Sequence, residues 1–298
     1  MDSIQGSAEG VDVTASMLPG SLSLGTVRLQ IADLDRSIGY YQTVLGLRVI
    51  SRSSQVAALG IPRDDRPLIE LHQLAGALPV PRRGRLGLYH FAILLPDRAA
   101  LGRFLRHLGE QGIRAGMSDH LVSEAVYLTD PDGLGIEVYA DRPRSQWQYQ
   151  DGQLVMATEP LDAGSVIREA GPETWNGAPA GTRMGHLHLF VGDLDRGAAF
   201  YHTALGLDRT VWNYPGALFL SAGGYHHHLG INTWAAGAPA AGPQDARLLE
   251  WEIVLPSHSE VQAALGRIEA AGFAVERDGM GGLARDPWGT AVRVRSGA

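Results

Sequence analysis

At 298 residues the chain has the length of about two domains. Its 45% hydrophobic and 19% charged residues are the balance of an ordinary globular fold, which excludes a disordered, collagen-like or coiled-coil protein. A formal net charge of -7 without a run of five basic residues excludes the footprint of a nucleic-acid binder.

Cys 0 excludes disulfides, thiolate metal sites and cysteine nucleophiles, so a metal would fall to carboxylates and the 11 histidines. Residues 1–22 lack the basic start and apolar stretch of a secretory signal, and no 18-residue apolar run occurs. A cytoplasmic protein with no membrane partner and a flexible N-terminus over 1–22 is the expectation.

Taken in chain order, residues 26–31 alternate as a strand, Asp33 stands as an N-cap, and Ile38, Tyr41, Val44 and Leu45 follow at helical spacing until Gly46 ends the helix. Alternating segments at 67–71 and 126–128 lie between Gly and Pro turns. Residues 144–181 break this rhythm with Trp147, Tyr149 and Met156 and a short helical piece near Ala163–Glu169, and read as a connector. Residues 235–243, rich in Gly, Ala and Pro, read as a loop.

The pattern then repeats. Asp33-Leu34-Asp35-Arg36, Tyr40-Tyr41 and Leu45-Gly46-Leu47 recur as Asp193-Leu194-Asp195-Arg196, Phe200-Tyr201 and Leu205-Gly206-Leu207, offset by 160; Asp130-Pro131-Asp132-Gly133 matches Asp286-Pro287-Trp288-Gly289, offset by 156. The chain is therefore a tandem duplication with halves at 23–143 and 182–298. Each half divides again into two modules of a strand, a helix and about three strands, so the expected fold class is α+β, with four βαβββ modules. The helix aromatics Tyr40, Tyr41, Phe200 and Tyr201 are assigned to the core.

Four such modules with this signature resemble the vicinal oxygen chelate superfamily of glyoxalases, extradiol dioxygenases and bleomycin-resistance proteins. The segments 87–92, 135–139 and 224–228 are similar to its two-domain bacterial catechol-2,3-dioxygenase (CatE-like) branch. The superfamily hosts several chemistries, so function has to be argued from the site.

The resemblance implies that the modules form two cupped sheets, and that a metal is held by first-strand residues of two modules and a last-strand carboxylate. Modules three and four would offer His186, Glu250 and Arg293, a poor cation site; modules one and two would offer Thr26, His90, Glu70 and Glu137. Modules two and three offer His90, His186 and Glu137, the two-His-one-carboxylate set that holds non-haem Fe(II), or Mn(II), and leaves positions for substrate and oxygen. This pairing is preferred and requires the middle modules to share a cup. His188, two residues from His186 on the same face, is a neighbour or a replacement ligand.

The resemblance also implies catalytic residues: His227 in His227-His228-Leu229-Gly230-Ile231 as proton carrier, with His228 as its fallback, Tyr127 ten residues before Glu137, and His120 on the loop before it. An imidazole suits the carrier because its ordinary pKa of about 6.5 allows transfer in both directions. By strand alternation, His226 is expected to point away from the cup that His227 lines. The implied activity is extradiol cleavage of a catechol-type ring with O2, in a chain for which a homodimer is in keeping with the family. The competing expectations are a glyoxalase-like isomerase or lyase, for which Glu70 would be the extra carboxylate, and a non-catalytic small-molecule binder.

Overall fold

The computed structural model describes residues 17–81 and 84–297. Residues 1–16 of the segment expected to be flexible lie outside the described residues, whereas Leu18 and Leu22 are buried in the core, so ordered packing begins before residue 23.

Module one comprises β1 (Ser23–Ile31), α1 (Leu34–Thr43), β2 (Arg48–Arg52), β3 (Val56–Gly60) and β4 (Ile69–Gln73). Module two comprises β5 (Gly87–Leu94), α2 (Arg98–Glu110), β6 (Gly116–Asp119), β7 (Ser123–Thr129) and β8 (Gly135–Asp141). The intervening segment carries β9 (Tyr149–Gln150), β10 (Gln153–Leu154) and α3 (Ala163–Glu169). Module three comprises β11 (Arg183–Phe190), α4 (Leu194–Ala198) continued by a π-helical turn (Ala199–Ala204), β12 (Asp208–Val211), β13 (Ala217–Ser221) and β14 (Leu229–Asn232). Module four comprises β15 (Arg247–Leu255), α5 (His258–Ala270), β16 (Val275–Asp278), β17 (Gly281–Arg285) and β18 (Ala291–Ser296).

The repeated sequence signature is the local chemistry of this unit. Asp33 caps α1 by accepting from the Arg36 amide, and Asp193 caps α4 in the same way from Arg196. Past α1, Gly46 takes φ 68 and its amide closes back on the Gln42 carbonyl, a left-handed exit that glycine adopts without a Cβ penalty. Tyr41 and Tyr201 are fully buried as expected, and each hydroxyl reaches a turn aspartate of the following module, Asp130 at 3.2 Å and Asp286 at 2.9 Å. Those aspartates in turn accept backbone amides of their own Asp-Pro turns. The two modules of each sequence half are thereby tied helix to turn.

The sheets, by contrast, cross the halves. One eight-stranded sheet has the order β16-β17-β18-β15-β1-β4-β3-β2 and the other β12-β13-β14-β11-β5-β8-β7-β6. Modules one and four share the first, and modules two and three share the second, joined by antiparallel β5 and β11. The apolar faces of both sheets and the helices form one continuous core that includes Leu29, Phe91, Phe104, Leu187 and Trp251. Among the described residues no helix is long and apolar enough to cross a membrane.

Candidate active site

Strand register assembles the site. In the sheet of modules two and three, Ala92 on β5 lies opposite both Glu137 on β8 and His186 on β11, and Tyr127 on β7 lies opposite Glu137. His186, Ala92, Glu137 and Tyr127 thus form one row across four strands, all on the face that period-2 alternation gives to His90, two residues before Ala92. Because Ala92 is small, the longer side chains on either side can lean over it and meet His90.

They do meet. His90 Nε2 and His186 Nε2 stand 3.0 Å and 3.2 Å from the same Glu137 Oε2, all three residues are buried, and they can offer ligand atoms within 4.8 Å of one another. Burial pushes both imidazoles below their ordinary value, against the opposing pull of Glu137. Burial alone would raise Glu137, but His186 and His90 outweigh it and hold the carboxyl well below the usual range.

Despite its short approach to the carboxylate, His90 Nε2 is buried without a hydrogen-bond partner, and so is His186 Nδ1. Orphaned buried nitrogens around a buried carboxylate are costly as a hydrogen-bonded cluster but suit a shared cation. The residues present therefore fit a divalent metal.

Beside these three lies a cavity of about 380 Å³ lined by Tyr89, His120, Tyr127, Met156, His188, Tyr214, Phe219, His227 and Trp234, among others. Tyr127 is held in the protonated form, first by burial and then by Glu137. Its oxygen lies 2.5 Å from His120 Nε2, while His120 Nδ1 lies 2.7 Å from the Ala157 carbonyl. A carbonyl only accepts, so Nδ1 carries the hydrogen and Nε2 accepts the proton of the phenol. The structure thus brings His120 and Tyr127 together as a coupled pair at the cavity.

The triple histidine departs from the expected alternation. β14 begins at Leu229, so residues 226–228 precede the strand, and His226 and His227 are both buried, side by side, with ring centroids 4.6 Å apart. His227 lines the cavity with its ring 4.1 Å from that of His186. Its Nδ1 meets His226 Nδ1 at 2.7 Å, and His226 Nε2 meets Asp141 Oδ1 at 2.9 Å. His226 does not line the cavity, as alternation expects, yet its ring is not turned away from that of His227. His228 is: its Nδ1 accepts the Ala222 amide at 3.3 Å and faces Ser221 Oγ at 2.9 Å, so the fallback role expected of it is corrected to a structural one.

The other ligand candidates are dispersed. Thr26 donates to the Pro67 carbonyl, and Glu70 pairs with His72 and lies 3.5 Å from Arg28, all in the sheet of modules one and four. There Glu250 binds Arg28 at 2.5 Å and Arg293 at 2.9 Å, while Glu252 binds Arg28 and Arg295. The second cup is filled by ion pairs, and Glu70 is not an additional carboxylate for the cup that holds His90. Sequence reasoning also missed the contribution of the connector, from which Met156, Ala157 and Thr158 wall the cavity. Asp141 was missed as well, although it follows Glu137 and Tyr139 at period 2 on β8 and so was legible as a residue of the same face.

A paired-module cupped sheet with a buried His-Glu-His cluster on its inner face defines a glyoxalase-like metalloprotein fold. The chain belongs to the Glyoxalase/Bleomycin resistance protein/Dioxygenase superfamily, whose family model matches residues 23–138 and 183–294. It is 44% identical over 268 residues, covering 89% of this chain and 93% of the relative, to a Bacillus subtilis (strain 168) protein named Catechol-2,3-dioxygenase. Among solved structures, one from Bacillus subtilis subsp. subtilis str. 168 aligns with TM-score 0.63 and 14% identity over 94% of this chain and 85% of that one. Glyoxalase I from Zea mays aligns with TM-score 0.53 and 19% identity over 93% and 92%. These two likenesses establish the fold.

Proposed function

We propose that the protein is an extradiol dioxygenase that opens a catechol-type ring with O2, with His90, His186 and Glu137 as the ligands of Fe(II), which Mn(II) could replace on the same donors. The observation that carries this reading is the convergence of that cluster with His227, Tyr127 and His120 on one aromatic cavity. The 44% identical relative named Catechol-2,3-dioxygenase supports it. When bound, the metal supplies charge neutralisation for the diol and a meeting point for the ring and O2.

The chain's own residues orient the ring and move its proton. A hydrogen on His226 Nε2 faces the Asp141 carboxylate, and in that tautomer His226 Nδ1 accepts from His227 Nδ1–H. His227 is left with Nε2 as a lone pair at the cavity, the arrangement of a general base for a diol hydroxyl. Because the Tyr127 proton points to His120, its phenol oxygen receives a substrate hydroxyl as an acceptor. Tyr89, Phe219 and Trp234 enclose the ring; among the described residues this wall carries no Lys or Arg, and Arg85 and Arg114 line the adjoining cavity that shares Tyr89, His90, Tyr127 and Trp234 with it. That wall favours a neutral catechol over one bearing a carboxylate.

A glyoxalase-like isomerase loses its main support because Glu70 stands in the other sheet. A bland binding module would not need buried, orphaned imidazole nitrogens around a carboxylate. A cytoplasmic setting belongs to the same reading. Anaerobic loading with Fe(II), followed by aerobic addition of catechol, tests the reading: a yellow ring-opened product is expected, and metal retention without product would contradict it.

A further inference from the structure

His188 is neither one of the three clustered metal-ligand candidates nor part of the His226–His227 chain, yet it lines the cavity. It shares its strand face with His186 and lies opposite His90 in the sheet, with the two rings 5.1 Å apart. On its other side the strand partner is Gly230, where an added Cβ would come within 2.9 Å of the ring, so glycine is what allows the imidazole to lie over β14.

The hydrogen bonds fix which nitrogen carries the proton. The Trp234 amide donates to Asn232 Oδ1 at 3.0 Å, which fixes the orientation of that buried amide and turns Nδ2 toward His188 Nε2 at 2.9 Å. An amide NH2 only donates, so Nε2 accepts and the hydrogen resides on Nδ1. Nδ1 makes no hydrogen bond to a described residue and is not among the buried unpartnered atoms, so its N–H is open to the cavity that the ring lines.

We infer that His188 donates from Nδ1–H to an oxygen of the bound ring diol, with Asn232 as the positioning residue that holds the donating tautomer. This inference rests on the ring-diol reading above. A neutral imidazole N–H stabilises a partly anionic oxygen without surrendering its proton, which separates His188 from His227, whose open nitrogen accepts. The two imidazoles on the cavity wall thus have opposite hydrogen-bond polarity, one set by Asn232 and the other by His226 and Asp141.

The test uses the metal-loaded holoenzyme under anaerobic conditions with 4-nitrocatechol as the binding probe, alongside aerobic catechol turnover and metal content. His188→Phe should keep its metal and weaken probe binding about 10- to 100-fold, the scale of one hydrogen bond to a charged oxygen. His188→Asn, which retains an N–H near the Nδ1 position, should recover most of that loss. Asn232→Leu should weaken binding in the wild-type background and add nothing in the His188→Phe background, because it acts only through His188.

The inference is overturned if His188→Phe binds 4-nitrocatechol as tightly as wild type, or if His188→Asn is as weak as the Phe variant. Should His188→Phe not fold, unchanged binding by Asn232→Leu overturns it equally. If the wild type itself opens no catechol ring, the ring-diol reading fails and takes this inference with it. If the wild type is active and only the variants behave as wild type, His188 alone is misassigned.

Discussion

His226→Phe is the substitution on which strand alternation and the observed geometry disagree most sharply. Alternation makes His226 an outward neighbour of little consequence, whereas the structure places it between Asp141 and His227 at 2.9 Å and 2.7 Å. Phenylalanine keeps a flat ring in the space but leaves His227 Nδ1–H buried without an acceptor, at a cost of about 1–3 kcal/mol. His227 can escape that cost by moving its hydrogen to Nε2, which withdraws the lone pair from the cavity. The base-competent tautomer is then disfavoured by the same amount, so kcat should fall about 5- to 150-fold. His227→Phe, which removes the base outright, should cost about 10² to 10⁴. Neither variant replaces a proposed metal ligand, so metal content should equal that of wild type when measured beside steady-state catechol turnover. Full kcat in His226→Phe would refute the relay, and full kcat in both would refute the base.

Three further outcomes are expected. His90→Ala, His186→Ala and Glu137→Ala should each abolish metal retention, measured by elemental analysis after desalting, whereas Glu250→Ala should keep the metal and lower stability by taking one carboxylate partner from each of Arg28 and Arg293. Catechol should be preferred over 3,4-dihydroxybenzoate in kcat/KM, because among the described residues the wall beside the cluster offers a carboxylate no Lys or Arg and Arg85 and Arg114 line only the adjoining cavity; equal efficiencies would remove the argument from cavity charge. Burial pushes His228 down to about 3, below the ordinary value of about 6.5, so on acidification the unfolded chain takes up this proton first. Stability from His228 is therefore complete above about pH 6.5 and falls toward pH 3, by at most about 1.4 kcal/mol per unit; urea unfolding at pH 7 and pH 5 should show a shallower loss for His228→Asn.

What was legible in the sequence was whatever duplication wrote twice. Asp33 and Asp193 are spaced for a cap, Gly46 for a left-handed exit, and each signals a local requirement that a sequence can display. The cluster of His90, Glu137 and His186 follows from the family resemblance, which implies the strand positions that hold a metal; counting along the repeated modules then locates those positions in this chain. The hydroxyls of Tyr41 and Tyr201 read only as core, since their aspartate partners lie 89 and 85 residues away. The bond between His226 and His227 was not legible, because alternation puts neighbours on opposite faces and residues 226–228 precede β14, where the backbone does not impose a period of 2. The wall formed by Met156 and Thr158 was illegible for a different reason: a connector's composition says nothing about the surface it crosses.

Anomalous scattering from crystals of the Fe(II)-loaded protein, recorded at the iron edge, bears most directly on the proposed metal centre. A single strong peak enclosed by His90, Glu137 and His186 is expected, with His188 still bonded to Asn232. A peak in the cup of Glu250 and Arg293, or one bound by His188 in place of His186, would contradict a metal centre built by modules two and three from those three ligands.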